Sequence, residues 1–182
     1  MRSEDLWIFG YGSLIWDPGF PVAEQVIGRV HGYHRSFCMR SIHHRGTVET
    51  PGLVLALDKS SDDWCDGVAF RVARGEEEKT LDYLRERELI SSAYLEVQLN
   101  VDLQSGDQVR TTSFIIDADH DQYCGGLSLD EQARIISHSI GGRGPNWEYL
   151  YNTAQHLEEL GLSDPDLNWL CGEVAAIRAQ ID

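Results

Sequence analysis

The sequence predicts an α+β chain in which the strands come first and the last third is helical. Three observations carry this prediction. Short runs of β-branched, aromatic and apolar residues fill most of the first two thirds. A capping box and two later cap signals divide the last third into three helices. Strands do not alternate with helices along the chain, which argues against a doubly wound parallel sheet. No Pro/Gly/Ser-rich linker separates the two parts, so residues 1–182 are expected to form a single domain.

Leu6 to Phe9 is a short apolar strand closed by Gly10-Tyr11-Gly12. Val30 to Met39 is rich in aromatic and apolar residues and reads as a second strand. Gly52 to Leu57 follows Pro51 as a nearly unbroken apolar run, expected to be buried on both faces. Gly67 to Ala73 alternates, with Val68, Phe70 and Val72 on one face and Arg71 on the other. Gly75 to Leu89 reads as a helix, with Glu76, Glu77 and Glu78 in its first turn, where the helix dipole favours acids. Tyr94 to Val101 and Val109 to Ile116 flank Gln104-Ser105-Gly106-Asp107 and predict a hairpin. In the last third, Ser128-Leu129-Asp130-Glu131 is a capping box, and the helix it opens is expected to reach Ile140 and stop at Gly141-Gly142. Asn146 is expected to cap the next helix, which ends at Gly161. Asp164-Pro165 opens the last helix, which runs toward Ile181.

Charge narrows the function. Lys and Arg total 15 against 30 Asp and Glu, a net charge of −15. The only lysines are Lys59 and Lys79, and the arginines are scattered, which disfavours nucleic acid and anionic membrane surfaces as partners. No run of about 20 apolar residues offers a membrane span. The N-terminal apolar run is too short for a secretory signal. The cysteines Cys38, Cys65, Cys124 and Cys171 form no C-x-x-C pair, so free thiols in a reducing cytoplasm are expected, with Cys38 and Cys65 buried.

Three segments carry chemistry-bearing residues. Phe9-Gly10-Tyr11-Gly12-Ser13-Leu14-Ile15-Trp16 begins like a dinucleotide loop, but Ile15 stands where the third glycine belongs, and Asp17-Pro18-Gly19 breaks any following helix. Two readings stay open: a tight turn between strands, or a cradle of backbone N–H groups for a carboxylate, with the Ser13 hydroxyl as a further donor. Glycine serves the second reading by permitting close approach and positive φ. Tyr83-Leu84-Arg85-Glu86-Arg87-Glu88-Leu89-Ile90 alternates charges as a solvated helix face does. Glu88 differs in preceding Leu89 and Ile90; desolvation there raises a carboxyl pKa and suits a general base. The residues alone do not separate Glu88 from Glu86. Gly141-Gly142-Arg143-Gly144-Pro145 is a helix connector whose glycines also fit a mobile lid. The histidines lack ligand spacing, so no metal site is expected. A Cys38–His44 nucleophile pair lacks an orienting third group.

Taken in order, these segments resemble the ChaC-like γ-glutamylcyclotransferases, the glutathione-degrading branch of that superfamily. Phe9 to Trp16 is similar to the family's N-terminal substrate loop. Arg35-Ser36-Phe37-Cys38, Ser41 and His44-Arg45-Gly46 resemble the next block, and Pro51 to Leu57 and Gly67 to Arg71 the strands that follow. Tyr83-Leu84 with Arg87-Glu88 resembles the Y-L-x-x-R-E signature. Tyr123, Gly126 and Leu127 resemble a later element of the family, and Gly144, Asn146, Tyr149 and Leu150 a G-x-N-x-x-Y-L block. The chain departs from the eukaryotic form R-E-K-G-G-Y by carrying Leu89-Ile90-Ser91-Ser92-Ala93 before Tyr94, a longer loop without glycine.

The resemblance implies a compact mixed β-barrel with flanking helices. It implies a lyase that cyclises the γ-glutamyl group of glutathione and releases 5-oxoproline and Cys-Gly. The substrate's own α-amine attacks its γ-carbonyl, so no protein nucleophile, metal or cofactor is implied. Glu88 is the implied catalytic residue; Gly10, Tyr11, Gly12, Ser13, Leu14 and Ile15 form the implied substrate loop, with Tyr123 and Arg45 as further contacts. Arg45 or Arg71 would supply charge near the glycine carboxylate. Two alternatives are a cyclotransferase for other γ-glutamyl amines or dipeptides and a non-catalytic module that binds carboxylates.

Overall fold

The computed structural model describes residues 4–88 and 92–181. Five strands close into a barrel in the order β1-β3-β2-β4-β5: β1 (Trp7–Gly10), β2 (Val22–Ser41), β3 (Gly52–Val72), β4 (Tyr94–Leu103) and β5 (Gln108–Ile116). The α+β class and the expected barrel hold. β1 lies antiparallel to β3, with Ile8 opposite Phe70, and parallel to β5, with Ile8 opposite Thr112. β4 and β5 form the predicted hairpin, registered from Tyr94↔Ile116 to Asp102↔Gln108, and Gly106 takes the positive φ (100°) that its turn requires.

The two segments read as separate strands, Gly52 to Leu57 and Gly67 to Ala73, are the ends of one strand, β3. Its middle, Asp58 to Trp64, is polar and largely exposed, so no periodic apolar signal bridges the ends.

The chain groups into two compact units. The first comprises Met1–Arg35 and Leu57–His120. Its core gathers Phe9, Tyr11, Val30, Leu57, Cys65, Ala69, Val101, Leu103 and Ile115. It also contains helix α1 (Glu77–Glu88), with Glu77 and Glu78 in its first turn. The end expected at Leu89 lies outside the described residues.

The second unit comprises Ser36–Ala56 and Asp121–Asp182. It holds α2 (Leu129–His138), a two-stranded ribbon of β6 (Ile140–Gly141) and β7 (Gly144–Pro145), α3 (Asn146–Glu159) and α4 (Pro165–Ile181). The capping box is present: Ser128 Oγ accepts from Glu131 N–H, and Glu131 reaches back to Ser128 N–H. Asp164 Oδ1 accepts from the N–H groups of Asp166 and Leu167 at the start of α4.

Two helix-end expectations fail here. α2 stops at His138 rather than Ile140, because Ser139 turns extended and its hydroxyl donates to Pro51 O at 2.9 Å. Asn146 does not cap α3. Pro145 occupies that position, and Asn146 is the first helical residue. Its amide instead pairs with one residue of β3, accepting from Leu53 N–H and donating to Leu53 O, both at 2.8 Å. One turn on, Tyr149 Oη accepts from Leu55 N–H at 3.2 Å. Asn146, Tyr149, Leu150, Thr153, Ala154 and Leu157 recur at helical spacing and form the buried stripe of α3. The asparagine, tyrosine and leucine of the G-x-N-x-x-Y-L block thus seat α3.

The 141–145 connector is pinned rather than poised as a lid. Gly142 N–H donates to His43 O and Arg143 N–H to His44 O. A Cβ at Gly141 would stand 2.4 Å from Gly46 N and 2.5 Å from Arg45 N, so glycine is needed there for backbone to pass backbone.

Candidate active site

The glycine turn follows β1 directly. Ser13–Ile15 forms a single 3₁₀ turn closed by Ile15 N–H donating to Gly12 O at 3.0 Å and Asp17 N–H to Ser13 O at 2.8 Å. Such a turn leaves its first N–H groups without partners inside the helix, and here these belong to Ser13 and Leu14. Gly12 has φ −141°, so positive φ is not the reason for glycine at this position.

The turn is anchored from behind. Arg35, largely buried, donates from Nε to Tyr11 O at 2.7 Å and from Nη2 to Asp66 O. The Tyr11 hydroxyl donates to Phe114 O at 2.9 Å, which ties the turn to β5. Tyr11 and Leu14 are buried and support the turn from within the first unit.

α1 supplies the second half of the site. Thr80, Tyr83, Leu84, Arg87 and Glu88 follow i, i+3, i+4, i+7, i+8 spacing and share one helix face. Thr80 and Leu84 are fully buried; the side chains of Arg87 and Glu88 are only 12% and 16% exposed. Arg85 and Glu86, by contrast, are exposed, and Arg85 makes a bidentate pair with Glu96 on β4 at 2.7 and 3.1 Å. The charge alternation therefore divides: Arg85 and Glu86 form the solvated face, whereas Arg87 and Glu88 turn inward. The apolar neighbours Leu89 and Ile90 lie outside the described residues.

Arg87 joins the two halves. Its Nη2 donates to Ser13 Oγ at 3.1 Å, and its Nη1 to Asp17 O at 2.7 Å and Tyr83 Oη at 2.9 Å. Its Nε lies 3.6 Å from Glu88 Oε1. Gly19 makes room for this arrangement: at φ 75° it already favours glycine, and a Cβ there would stand 2.1 Å from Tyr83 Oη. Within the first unit, Ser13, Tyr83, Arg87 and Glu88 thus form one connected set.

A family model described as ChaC-like protein matches residues 6–177. The chain belongs to the ChaC-like family. Among similar proteins is a glutathione-specific γ-glutamylcyclotransferase of Escherichia coli K12, 37% identical over 175 residues, covering 96% of this chain and 75% of that one. A glutathione-specific γ-glutamylcyclotransferase 1 of Danio rerio is 36% identical over 168 residues, covering 91% and 84%. Among solved structures, a yeast γ-glutamyl cyclotransferase specific to glutathione superposes with TM-score 0.86 at 25% identity, covering 97% of this chain and 98% of that one.

In this ChaC-like chain, Arg45 and Tyr123 belong to the second unit. Arg45 is 7% exposed; its N–H donates to Ser41 Oγ at 3.0 Å, its Nη1 donates to Pro145 O at 3.1 Å, and its guanidinium lies 5.7 Å from the centre of the Tyr149 ring. Burial pulls its pKa below the usual guanidinium value. Tyr123 bridges to Met39 beside the end of β2. Arg71, the other cation weighed for a carboxylate, pairs with Glu24 at 3.1 Å. Cys38 is buried as expected, and burial pushes the Cys171 thiol up to about 11.

Sequence reasoning missed the roles of Arg35 and Arg87. Arg87 carried a signal, since it lies four residues beyond Tyr83 and seven beyond Thr80, on the face that Leu84 buries. Arg35 carried none, because a cation inside an aromatic strand shows its acceptor only once the strand is folded.

Proposed function

We propose that this chain cyclises the γ-glutamyl group of glutathione and releases 5-oxoproline and Cys-Gly. The observation that carries this reading is Arg87, which holds a backbone-and-hydroxyl donor turn and a shielded carboxylate in one connected set. Its support from relatives is the 37% identity to a glutathione-specific γ-glutamylcyclotransferase over nearly the whole chain.

The chemistry follows from those parts. The α-amine of the substrate attacks its own γ-carbonyl, a C–N bond forms and closes the five-membered ring, and the amide C–N bond to cysteine breaks. The enzyme's task is to hold the chain folded for ring closure, which is catalysis by orientation. Glu88 accepts a proton from the α-ammonium and returns it to the departing amide nitrogen. The Gly10–Ile15 turn grips the α-carboxylate through backbone N–H groups, and the Ser13 hydroxyl meets the oxygen that gains charge. Ring closure draws on no metal or cofactor. The cytoplasm is the proposed compartment; four free cysteines, and no helix among the described residues long and apolar enough to cross a membrane, support it.

The deciding experiment compares 5-oxoproline release from glutathione and from γ-glutamyl-alanine. Turnover of glutathione with much weaker turnover of the dipeptide is expected. The reverse preference would assign the chain to other γ-glutamyl amines, and binding without release to a carboxylate-binding module.

Two further outcomes are expected. Activity persists after chelation and falls on the acid side as Glu88 takes up its proton; restoration of a chelated, inactive enzyme by a divalent cation would refute the metal-free mechanism. Gly12→Val lowers kcat/KM by about 100-fold and Ser13→Ala by about tenfold. The branched side chain blocks close approach of the ligand to the backbone, whereas alanine removes one hydroxyl donor. The opposite order in folded variants would rule out a backbone cradle.

A further inference from the structure

The Ser13 hydroxyl has one proton and two lone pairs. Arg87 Nη2–H points at one lone pair, at 3.1 Å. A guanidinium has no acceptor, so the serine proton cannot be returned to it and must turn elsewhere. The same guanidinium reaches Asp17 O at 2.7 Å and Pro18 O at 3.4 Å, just beyond the turn, and Tyr83 Oη on the helix. It therefore spans the separation between the turn and the C-terminal end of α1, where Glu88 sits beside it. Only the planar fork of arginine reaches that many acceptors from one fixed position.

We infer that Arg87 is a positioning residue that turns the Ser13 hydroxyl into a directed donor and sets the distance between that donor and Glu88. Arg87 does not touch the reacting atoms; it acts through Ser13 and through the carboxylate next to it. This role rests on the cyclotransferase reading. It distinguishes Arg87 from Arg85, two residues earlier, whose fork is spent on Glu96.

The test is a double-mutant cycle on 5-oxoproline release from glutathione, using the unsubstituted enzyme, Ser13→Ala, Arg87→Met and the pair. Thermal unfolding of each variant is measured alongside. Arg87→Met is expected to lower kcat at least about tenfold while KM stays within about threefold, because donor and base are misplaced at the chemical step. In the Ser13→Ala background the same substitution is expected to cost much less, about threefold, because the hydroxyl it directs is gone. If the two losses simply multiply, if KM rises with kcat unchanged, or if the loss of rate disappears at temperatures where the variant is fully folded, the assignment is overturned. If Arg87→Met does not fold, the cycle is run with Arg87→Lys, which keeps the charge but cannot reach Ser13 and Asp17 together; the same coupling is expected, and its absence refutes the role. An unsubstituted enzyme that releases no 5-oxoproline removes the cyclotransferase reading itself. An active enzyme without coupling removes only the role of Arg87.

Discussion

Replacing Glu88 with glutamine is expected to remove turnover while leaving the fold and glutathione binding largely intact. The amide keeps the shape of the carboxylate beside the Arg87 guanidinium, whose Nε lies 3.6 Å from Glu88 Oε1, but it has no basicity. Loss of a general base costs about 10²–10⁴-fold in rate. The side chain is shielded and lies next to the group that holds the donor turn, so water gains no easy route to substitute for it. The measurement is single-turnover formation of 5-oxoproline, with glutathione affinity determined by calorimetry. A Glu88→Gln enzyme that retains more than about a third of the wild-type rate would move the base elsewhere, and Glu86 is the next residue to test. Glu86 lies on the exposed face of α1, away from the connected set of Ser13, Tyr83, Arg87 and Glu88, which makes that outcome unexpected.

The largest effect on stability is expected from Asn146→Ala. The Asn146 side chain is fully buried and makes two hydrogen bonds to the backbone of Leu53. Alanine leaves a buried N–H and a buried carbonyl unpaired and opens a small cavity, at a cost of roughly 3 kcal/mol. For a chain of this length that lowers Tm by about 6–12 °C. A helix cap, by comparison, is worth about 1 kcal/mol. Asn146→Ser separates the two cases. Serine caps helices as well as asparagine does, but it is too short to exchange both bonds with Leu53. A fall in Tm close to that of Asn146→Ala is expected; a Tm within about 2 °C of the parent would restore the cap reading.

The sequence by itself determined those features whose signals are local. The β4–β5 hairpin is carried by Gly106 and the alternation around it, the start of α2 by Ser128 and Glu131, and the start of α4 by Asp164 and Pro165. Each depends on residues within a few positions of one another, and the structure reproduces each. The motifs, in order, also placed the chain with the ChaC-like proteins and named the glycine turn and the Y-L-x-x-R-E helix as the segments of interest. Only the tertiary structure decided which side chains meet across long separations. Ser13 and Arg87 are 74 residues apart, and Leu53 and Asn146 are 93 apart. Helical spacing states that Arg87 and Glu88 share a face with Leu84; it does not state that this face turns toward the glycine turn or that Glu86 faces water. Asn146 satisfies the local rule for a cap and is used otherwise, because a buried strand end presents an unpaired N–H and carbonyl that only an amide at that distance can satisfy. β3 is continuous for the same reason: its polar middle has no apolar period to read, and its strand geometry comes from pairing within the barrel.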